Sequence, residues 1–148
     1  MKFFTSIQID KPAAEVFRYV VLHPKNMKQW MQGFEAYRPQ SGGRRKEGSV
    51  ATQVFDDGGH KTEVREEVLE VKPHERFRCL LTHKNMLSEQ DFRFFDQGSG
   101  QTKLRIETEV KLRPALFNLF GFLVKGQMRK QQAADLERLK SELEGVSN

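Results

Sequence analysis

The carboxyl group best placed for acid–base chemistry is that of Glu66, within a segment of strand-like alternation at residues 61–71. Successive side chains of a strand point to opposite faces, so Glu66 shares a face with Val64 and Val68. If that apolar face is buried, desolvation disfavours the charged carboxylate. Glu66 could then exchange a proton or orient a ligand hydroxyl. The alternatives are that strand twist carries Glu66 to solvent, or that Arg93 or another base pairs with it.

His83 is a second candidate for proton transfer, at the end of a strand-like segment spanning residues 77–83. If Phe77, Cys79 and Leu81 face the interior, the same periodicity turns His83 inward as well. An imidazole in that position could act as an acid or a base near neutral pH. The alternative is a structural position at the rim of the fold.

Other catalytic and cofactor chemistries find no support in the sequence. The four histidines are scattered singly and lack the spacing of a metal site. The glycine-rich runs at residues 42–48 and 57–59 lie between predicted strands rather than before a helix, which indicates turns instead of a nucleotide-binding loop. The lone cysteine, Cys79, has apolar neighbours and is predicted to be a buried small hydrophobe. We therefore predict no cofactor and no metal.

The charge pattern argues against a nucleic-acid partner. The chain of 148 residues has 25 basic and 20 acidic residues, a net charge of +5, whereas nucleic-acid binders usually concentrate basic residues in a patch. The one dense basic cluster, Arg44, Arg45 and Lys46, lies among glycines and is predicted to be a solvated hairpin loop. The alternative for this cluster is contact with an anion or a membrane surface.

Several segments combine apolar and polar side chains on one face, which is typical of a pocket that orients its ligand with a few polar groups. The alternation at residues 86–95 places Gln90 and Phe92 together. The alternatives are that hydroxyls such as that of Thr52 bond to their own sheet, and that Trp30 is a plain core residue. The predicted ligand-binding residues are Trp30, Met31, Thr52, Val64, Glu66, Gln90, Phe92, Thr108, Leu116, Phe120 and Leu123.

These residues are carried by a strand, two short helices, six further strands and a long helix. Period-two alternation with one apolar face predicts an antiparallel sheet that is buried on one side. Asp10 is predicted to cap the first helix. The predicted strands span residues 3–10, 34–40, 49–55, 61–71, 77–83, 86–95 and 102–112, and the predicted helices span 13–21, 25–31 and 114–144.

The closing helix has two unlike halves. Residues 116–124 are apolar on nearly every side, while residues 125–144 are charged and amphipathic, with Met128, Leu136, Leu139 and Leu143 predicted to face inward. The apolar half is too short to span a bilayer, so we predict no stable membrane insertion and expect this half to roof a cavity. Gly121 and Gly126 interrupt the helix and indicate a bend or a close approach to the sheet.

The motif Pro12-Ala-Ala-Glu-Val-Phe17, the helix break at His23-Pro24 and the run Asn26-Met-Lys-Gln-Trp30 resemble the opening of the START-like (SRPBCC) superfamily. The later Gly48-Ser-Val and the end of the closing helix are similar to it too. This superfamily includes polyketide cyclase/dehydrase-like proteins and the Bet v 1-like plant allergens. The resemblance covers residues 1–148 and implies a single START-like domain of the α+β class. The implied helix-grip fold has a curved seven-stranded antiparallel sheet around the long helix, with the two short helices plugging one end.

The resemblance implies a cavity between sheet and helix that binds or carries a small hydrophobic molecule, such as a lipid, a polyketide or a quinone. The alternative is a polyketide cyclase or dehydratase that uses Glu66 or His83 as its acid or base. A third hypothesis is an interaction module in which residues 116–124 form a homodimer or touch a membrane. The single cysteine and the absence of a signal-peptide pattern lead us to expect a cytoplasmic protein.

Overall fold

The computed structural model describes residues 1–40, 43–84, 86–112 and 114–145, with the backbone alone at residue 112 and at 114–123. The strands are β1 (Lys2–Ile9), β2 (Phe34–Pro39), β3 (Val50–Asp57), β4 (His60–Lys72), β5 (Arg76–His83), β6 (Met86–Gly98) and β7 (Gln101–Leu112). The helices are α1 (Ala13–Phe17), which continues as a π-helical turn (Arg18–Leu22), α2 (Met27–Trp30), which follows a 3-10 turn (Pro24–Asn26), and α3 (Pro114–Glu144).

The seven strands form one antiparallel sheet, and the predicted α+β helix-grip fold is confirmed. The strand order is β1-β7-β6-β5-β4-β3-β2, so β1 joins the last strand and β2 forms the far edge. Neighbours from β2 to β7 are consecutive in the chain, as the alternation with intervening turn residues predicted. The helix α3 packs against β1 and α2.

Cross-strand pairing determines which side chains face α3. On β6 and β7, Gln90 pairs with Thr108 and Phe92 pairs with Ile106. Because side chains alternate along a strand, these four share one face of the sheet, which we call the inward face. Leu139 of α3 is fully buried in the same core. The other fully buried apolar side chains include Ile9, Val16, Phe17, Val68, Phe77, Leu104 and Leu136.

The start of the first helix differs from the prediction. Asp10 does not cap it, because the helix begins at Ala13 after an extended Pro12, without a side-chain cap among the described residues. The backbone N–H of Asp10 instead donates to Glu144 Oε2 at 2.7 Å. This bond ties the end of β1 to the end of α3.

Gly33 precedes β2 with its backbone in the left-handed region, at a φ of +77°. A Cβ at this position would lie 3.1 Å from the carbonyl oxygen of Asp56. That backbone is held in place, because the Asp56 N–H donates to the Gly33 carbonyl oxygen at 2.7 Å. We expect Gly33→Ala to lower the free energy of unfolding by at least about 1–2 kcal/mol, the cost of a left-handed backbone for a residue with a Cβ. Urea denaturation measures this change.

Gly126→Ala is the matched control. Gly126 lies within α3, and a Cβ there would meet nothing within 4 Å, so the predicted close approach to the sheet is wrong at this position. No break interrupts α3, which runs as one helix from Pro114 to Glu144. Alanine should raise the free energy of unfolding by up to about 1 kcal/mol at this helical site. Equal effects of the two substitutions would contradict the account of Gly33.

Candidate ligand-binding site

A cavity of about 390 Å³ lies between the inward face of the sheet, α2 and the C-terminal half of α3. Its volume falls within the range of about 300–1,000 Å³ that is typical of small-molecule sites. The described residues that line it are Phe3, Trp30, Met31, Gln32, Phe55, Gln90, Phe92, Ile106, Thr108, Gln127, Met128, Gln131, Gln132 and Asp135. The cavity lining therefore combines residues that were predicted to bind a ligand with residues that were not.

The sheet contributes an apolar wall with two polar side chains. Phe92 and Ile106 are buried neighbours, and Gln90 and Thr108 form the next inward pair along β6 and β7. Gln90 lines the cavity without a side-chain hydrogen bond to any described residue. Thr108 Oγ1 accepts a hydrogen bond from Gln132 Nε2 at 2.9 Å, so this hydroxyl bonds to the helix rather than to its own sheet.

The wall formed by α3 is largely polar, and sequence reasoning missed its polar side chains, although Met128 was predicted to face inward. Met128, Gln131, Gln132 and Asp135 all line the cavity. Their spacing of three or four residues places them on one helix face, which continues to the buried Leu139. The signal that could have identified them is the presence of amide and carboxyl side chains at positions where an amphipathic helix normally places apolar residues.

Asp135 is the only ionisable residue among the described residues that line the cavity. Its Oδ1 accepts hydrogen bonds from the backbone N–H of Gln32 at 3.2 Å and from Gln131 Nε2 at 3.0 Å. Oδ1 also accepts from Arg138 Nη2, which completes an ion pair on α3. Burial raises the pKa of the Asp135 carboxyl above its ordinary value, against the lowering effect of these three partners. A perturbed carboxyl in a cavity wall is typical of a functional group.

The raised pKa of Asp135 predicts a pH dependence of stability. The folded chain binds a proton at this carboxyl more readily than the unfolded chain does, so this group makes the free energy of unfolding fall as the pH rises above 3.8. Asp135→Asn removes this loss of stability. As the pH rises from 3.8 through the raised pKa of the folded chain, the free energy of unfolding of the variant should therefore increase relative to that of the wild type. Urea denaturation of both proteins across the acid range measures the difference, and a difference that shrinks as the pH rises would contradict the assignment.

Trp30 and Met31 close the cavity from the side of α2. The Trp30 side chain is buried, and its backbone carbonyl oxygen accepts a hydrogen bond from Arg138 Nε at 3.1 Å. Its indole N–H is also buried and has no partner among the described residues. Trp30 is thus a core residue and a cavity wall at the same time, so both interpretations of this residue hold.

Glu66 lies beyond the cavity in a buried cluster with Tyr37, Arg45 and Gln53, which we call the Arg45 cluster. Arg45 donates from Nη2 to Glu66 Oε1 at 2.6 Å and from Nε to Oε2 at 3.3 Å. Gln53 Nε2 donates to Oε1 at 2.9 Å, and the Tyr37 hydroxyl donates to Oε2. The side chains of Arg45 and Glu66 are 4% and 0% exposed. Of the alternatives for Glu66, the structure shows pairing with a base, and that base is Arg45 rather than Arg93.

The prediction that Arg45 belongs to a solvated loop is wrong. Its guanidinium carbon lies 5.0 Å from the ring centre of Tyr37 and 4.6 Å from that of Phe77, in cation–π geometry. Its Nη1 donates to two carbonyl oxygens of the π-helical turn at 3.3 and 3.4 Å. Burial opposes the charge of Arg45, but the Glu66 carboxylate, Tyr37 and Cys79 together raise the pKa of the guanidinium above its ordinary value. The cluster therefore anchors the segment before β3 to the first helix.

A void of about 20 Å³ lies between the Arg45 cluster and the cavity. Trp30 and Gln90 line both spaces, whereas Arg45 and Glu66 line the void but not the cavity. The void is large enough for about one water molecule. Glu66 is therefore near the inner end of the cavity, but the space beside it is too small for a ligand.

Besides Glu66, three predicted site residues lie away from the cavity lining. Thr52 pairs with Arg65 on the opposite face of the sheet, so its assignment to the cavity is corrected by strand parity. His83 lies at the end of β5, where Nδ1 is 2.9 Å from the Glu63 carbonyl oxygen, and it lines a surface depression together with Thr52. Val64 faces inward on the same side as Glu66 but is only partly buried and lies outside the lining.

The side chains of Leu116, Phe120 and Leu123 lie outside the described residues. The expectation that residues 116–124 roof the cavity therefore stays a prediction.

Nucleophile and metal chemistry have little basis in the described structure. Cys79 is buried as predicted, and burial raises the pKa of its thiol, which disfavours a thiolate nucleophile. His60 and His74 are exposed, as predicted. Within residues 1–40, 43–84, 86–112 and 114–145, no group of three His, Cys, Asp or Glu side chains could hold a metal ion.

The fold has counterparts among known proteins. A family model described as polyketide cyclase/dehydrase and lipid transport matches residues 1–144. The crystal structure of TTHA0849 from Thermus thermophilus is 18% identical, with 100% of each chain covered and a TM-score of 0.79. The Zhui aromatase/cyclase from a Streptomyces species is 12% identical over 97% of this chain and 93% of its own, with a TM-score of 0.77.

Norcoclaurine synthase from Thalictrum flavum, in complex with dopamine and hydroxybenzaldehyde, is 12% identical over 100% of this chain and 88% of its own, with a TM-score of 0.70. At these identities the likeness to solved structures shows the fold alone. No protein of curated function matches the chain in sequence.

Proposed function

The chain belongs to the polyketide cyclase/dehydrase and lipid transport family, and we propose that it binds and carries a small, largely apolar molecule in the cavity between the sheet and α3. The observation that carries this proposal is the cavity of about 390 Å³, whose walls combine aromatic and aliphatic side chains with a few polar groups. Burying apolar ligand surface against such walls is favourable by about 25 cal/mol per Å². A lipid, a polyketide or a quinone-like molecule has the required apolar surface.

The geometry favours binding over the cyclase or dehydratase alternative, because neither predicted acid–base group lines the cavity. Glu66 accepts hydrogen bonds from Arg45, Gln53 and Tyr37 and is held as a paired carboxylate. His83 lines a separate surface depression. A general acid or base must come within about 3 Å of the proton that it transfers, directly or through one water. The support for a reaction at these two residues is therefore weaker than the support for a carrier.

Ring-containing ligands are the first class to test. The structurally similar norcoclaurine synthase holds dopamine and hydroxybenzaldehyde. In this chain Phe3, Trp30, Phe55 and Phe92 all line the cavity. Aromatic side chains stabilise aromatic partners through offset-stacked or edge-to-face contacts, in addition to the area that they bury. We infer that a planar ring system suits these walls.

Native mass spectrometry of the purified chain tests the proposed function. We expect a co-purifying small molecule that organic extraction removes. Trp30 is the single tryptophan and lines the cavity, so its fluorescence should change when an apolar compound binds. A chain that carries no extractable molecule, and whose tryptophan fluorescence is unchanged across a library of lipids, quinones and aromatic compounds, would contradict the proposal.

Three further predictions accompany the proposal. We propose that residues 1–148 form one START-like domain that works in the cytoplasm, where the lone Cys79 would remain reduced.

The homodimer through residues 116–124 stays a prediction, and size-exclusion chromatography with light scattering tests it. Among the helices that the structure describes, none is long and apolar enough to cross a membrane.

A further inference from the structure

The charge of the cavity wall restricts the polar group that a ligand can carry. Asp135 is 7% exposed and lines the cavity, and no lysine, arginine or histidine is among the described residues of the lining. An anionic ligand would therefore meet a carboxylate and would lose its hydration without gaining a cationic partner. A ligand with a hydrogen-bond donor would instead meet an acceptor.

The two oxygens of Asp135 have unequal surroundings. Oδ1 accepts from Gln32, Gln131 and Arg138, which fixes the carboxylate against α2 and its own helix. Oδ2 has no hydrogen-bond partner among the described residues, although the residue is nine-tenths buried. Oδ2 keeps some solvent exposure, in a residue that lines the cavity. A ligand donor there would replace water with a hydrogen bond to a charged acceptor.

We propose that Asp135 Oδ2 is the specificity-determining acceptor of the cavity, and that it selects ligands with an O–H or N–H group over ligands with a carboxylate. This inference rests on the proposed binding function and adds the polar group of the ligand to it. The apolar body of the ligand lies against Phe92 and Ile106 on the sheet, and its donor group lies toward α3. Neutral alcohols and phenols, and amines, belong to this class, whereas free fatty acids do not.

Four probes with the same ring system separate these chemistries. Naphthalene-2-methanol and naphthalene-2-methylamine carry donors, the methyl ether of the alcohol carries an acceptor only, and naphthalene-2-carboxylate carries an anion. Isothermal titration calorimetry with the wild-type chain should give an affinity for the alcohol or the amine about tenfold or more above that for the ether, the size of a hydrogen bond to a charged acceptor. The carboxylate should bind most weakly. Whichever of the alcohol and the amine binds with the higher affinity shows whether the preferred donor is an O–H or an N–H group.

The variant Asp135→Asn tests whether this preference comes from Asp135. It should bring the affinities for the alcohol and the ether to within about threefold, since a neutral amide is a weaker acceptor, and it should leave the affinity for the ether itself unchanged. A merely structural role would weaken all four probes together. The matched control is Glu137→Gln, which makes the same change of charge at an exposed position of the same helix and should keep the wild-type preference.

The outcomes of this experiment are distinguishable. Equal affinity of the wild type for the alcohol and the ether overturns the role of Asp135 and leaves the carrier function standing. An Asp135→Asn variant that keeps the full preference has the same consequence. A wild-type chain that binds none of the four probes contradicts both the inference and the proposed binding of ring compounds.

Discussion

Arg45→Met should lower the free energy of unfolding by about 3–5 kcal/mol, because it leaves a buried charge without its partner. Glu66 is fully buried and would keep only the hydrogen bonds from Gln53 and Tyr37. A domain of this size is typically stable by about 5–15 kcal/mol, so the loss is a large fraction of the total. Urea denaturation at neutral pH, followed by circular dichroism, measures it.

The adjacent arginine provides the control for this experiment. Arg44 is exposed, so Arg44→Met should change the free energy of unfolding by no more than about 0.5 kcal/mol. The double variant Arg45→Met with Glu66→Leu should recover most of the loss, because apolar groups of similar volume often replace a buried ion pair without a net cost. Equal losses at Arg44 and Arg45, or a double variant as unstable as Arg45→Met, would contradict the account of the cluster.

Gln90→Trp should weaken ligand binding about 5- to 150-fold, because a ligand would have to displace the new ring at an overpacking cost of about 1–3 kcal/mol. Gln90 lines the cavity and makes no side-chain hydrogen bond to a described residue, so the substitution fills space without breaking such a bond. The free energy of unfolding should change little. Titration with the extracted ligand, or with naphthalene-2-methanol, measures the affinity by calorimetry.

Arg93→Trp is the control for cavity filling. Arg93 lies three residues further along β6 on the outward face, where it is exposed and pairs with Asp91. A tryptophan there should leave the affinity within about twofold of the wild type, because surface changes usually shift free energies by less than about 0.5 kcal/mol. If both substitutions weaken binding equally, or if Gln90→Trp binds as tightly as the wild type, the ligand does not occupy the cavity.

The fold could be predicted because its signals are local. The alternation of β7 and the turn residues between strands identify the hairpins without any knowledge of long-range contacts. Among the strands, the largest boundary difference is at the end of β6, which extends to Gly98 rather than residue 95. The register shifts between Asp96 and Gly98, so the strand continues through an irregularity that period-two counting cannot represent.

The Arg45 cluster could not be predicted because its signals are not local. A basic run among glycines is usually a solvated loop, and only the tertiary fold brings Arg45 to Glu66, which lies 21 residues away in the chain. The alternation of side chains along β4 predicted that Glu66 is buried, but it could not predict that Arg45 is its partner. Thr52 shows the opposite error, since the alternation of β3 places Ala51 and Gln53 inward and Thr52 outward.

Asp135 was missed for a different reason. The face of α3 that contains Leu136 and Leu139 was correctly predicted as buried, and both side chains are buried. The charged residues of an amphipathic helix usually lie on its solvated face, so the pattern gave no reason to place Asp135 inward. Asp135 is adjacent to Leu136 and shares its burial, and it belongs to the cavity wall rather than to the solvated side of the helix.

Methionine methyl NMR tests the central claim most directly. The chain has five methionines. Met31, which follows α2, and Met128 of α3 both line the cavity. Titration with naphthalene-2-methanol should shift the methyl signals of these two residues along one saturable curve and leave that of Met1 in place. In the Gln90→Trp variant the same shifts should need a higher ligand concentration. If the signals of Met31 and Met128 do not move while the compound binds, the ligand site is elsewhere and the account of the cavity is wrong.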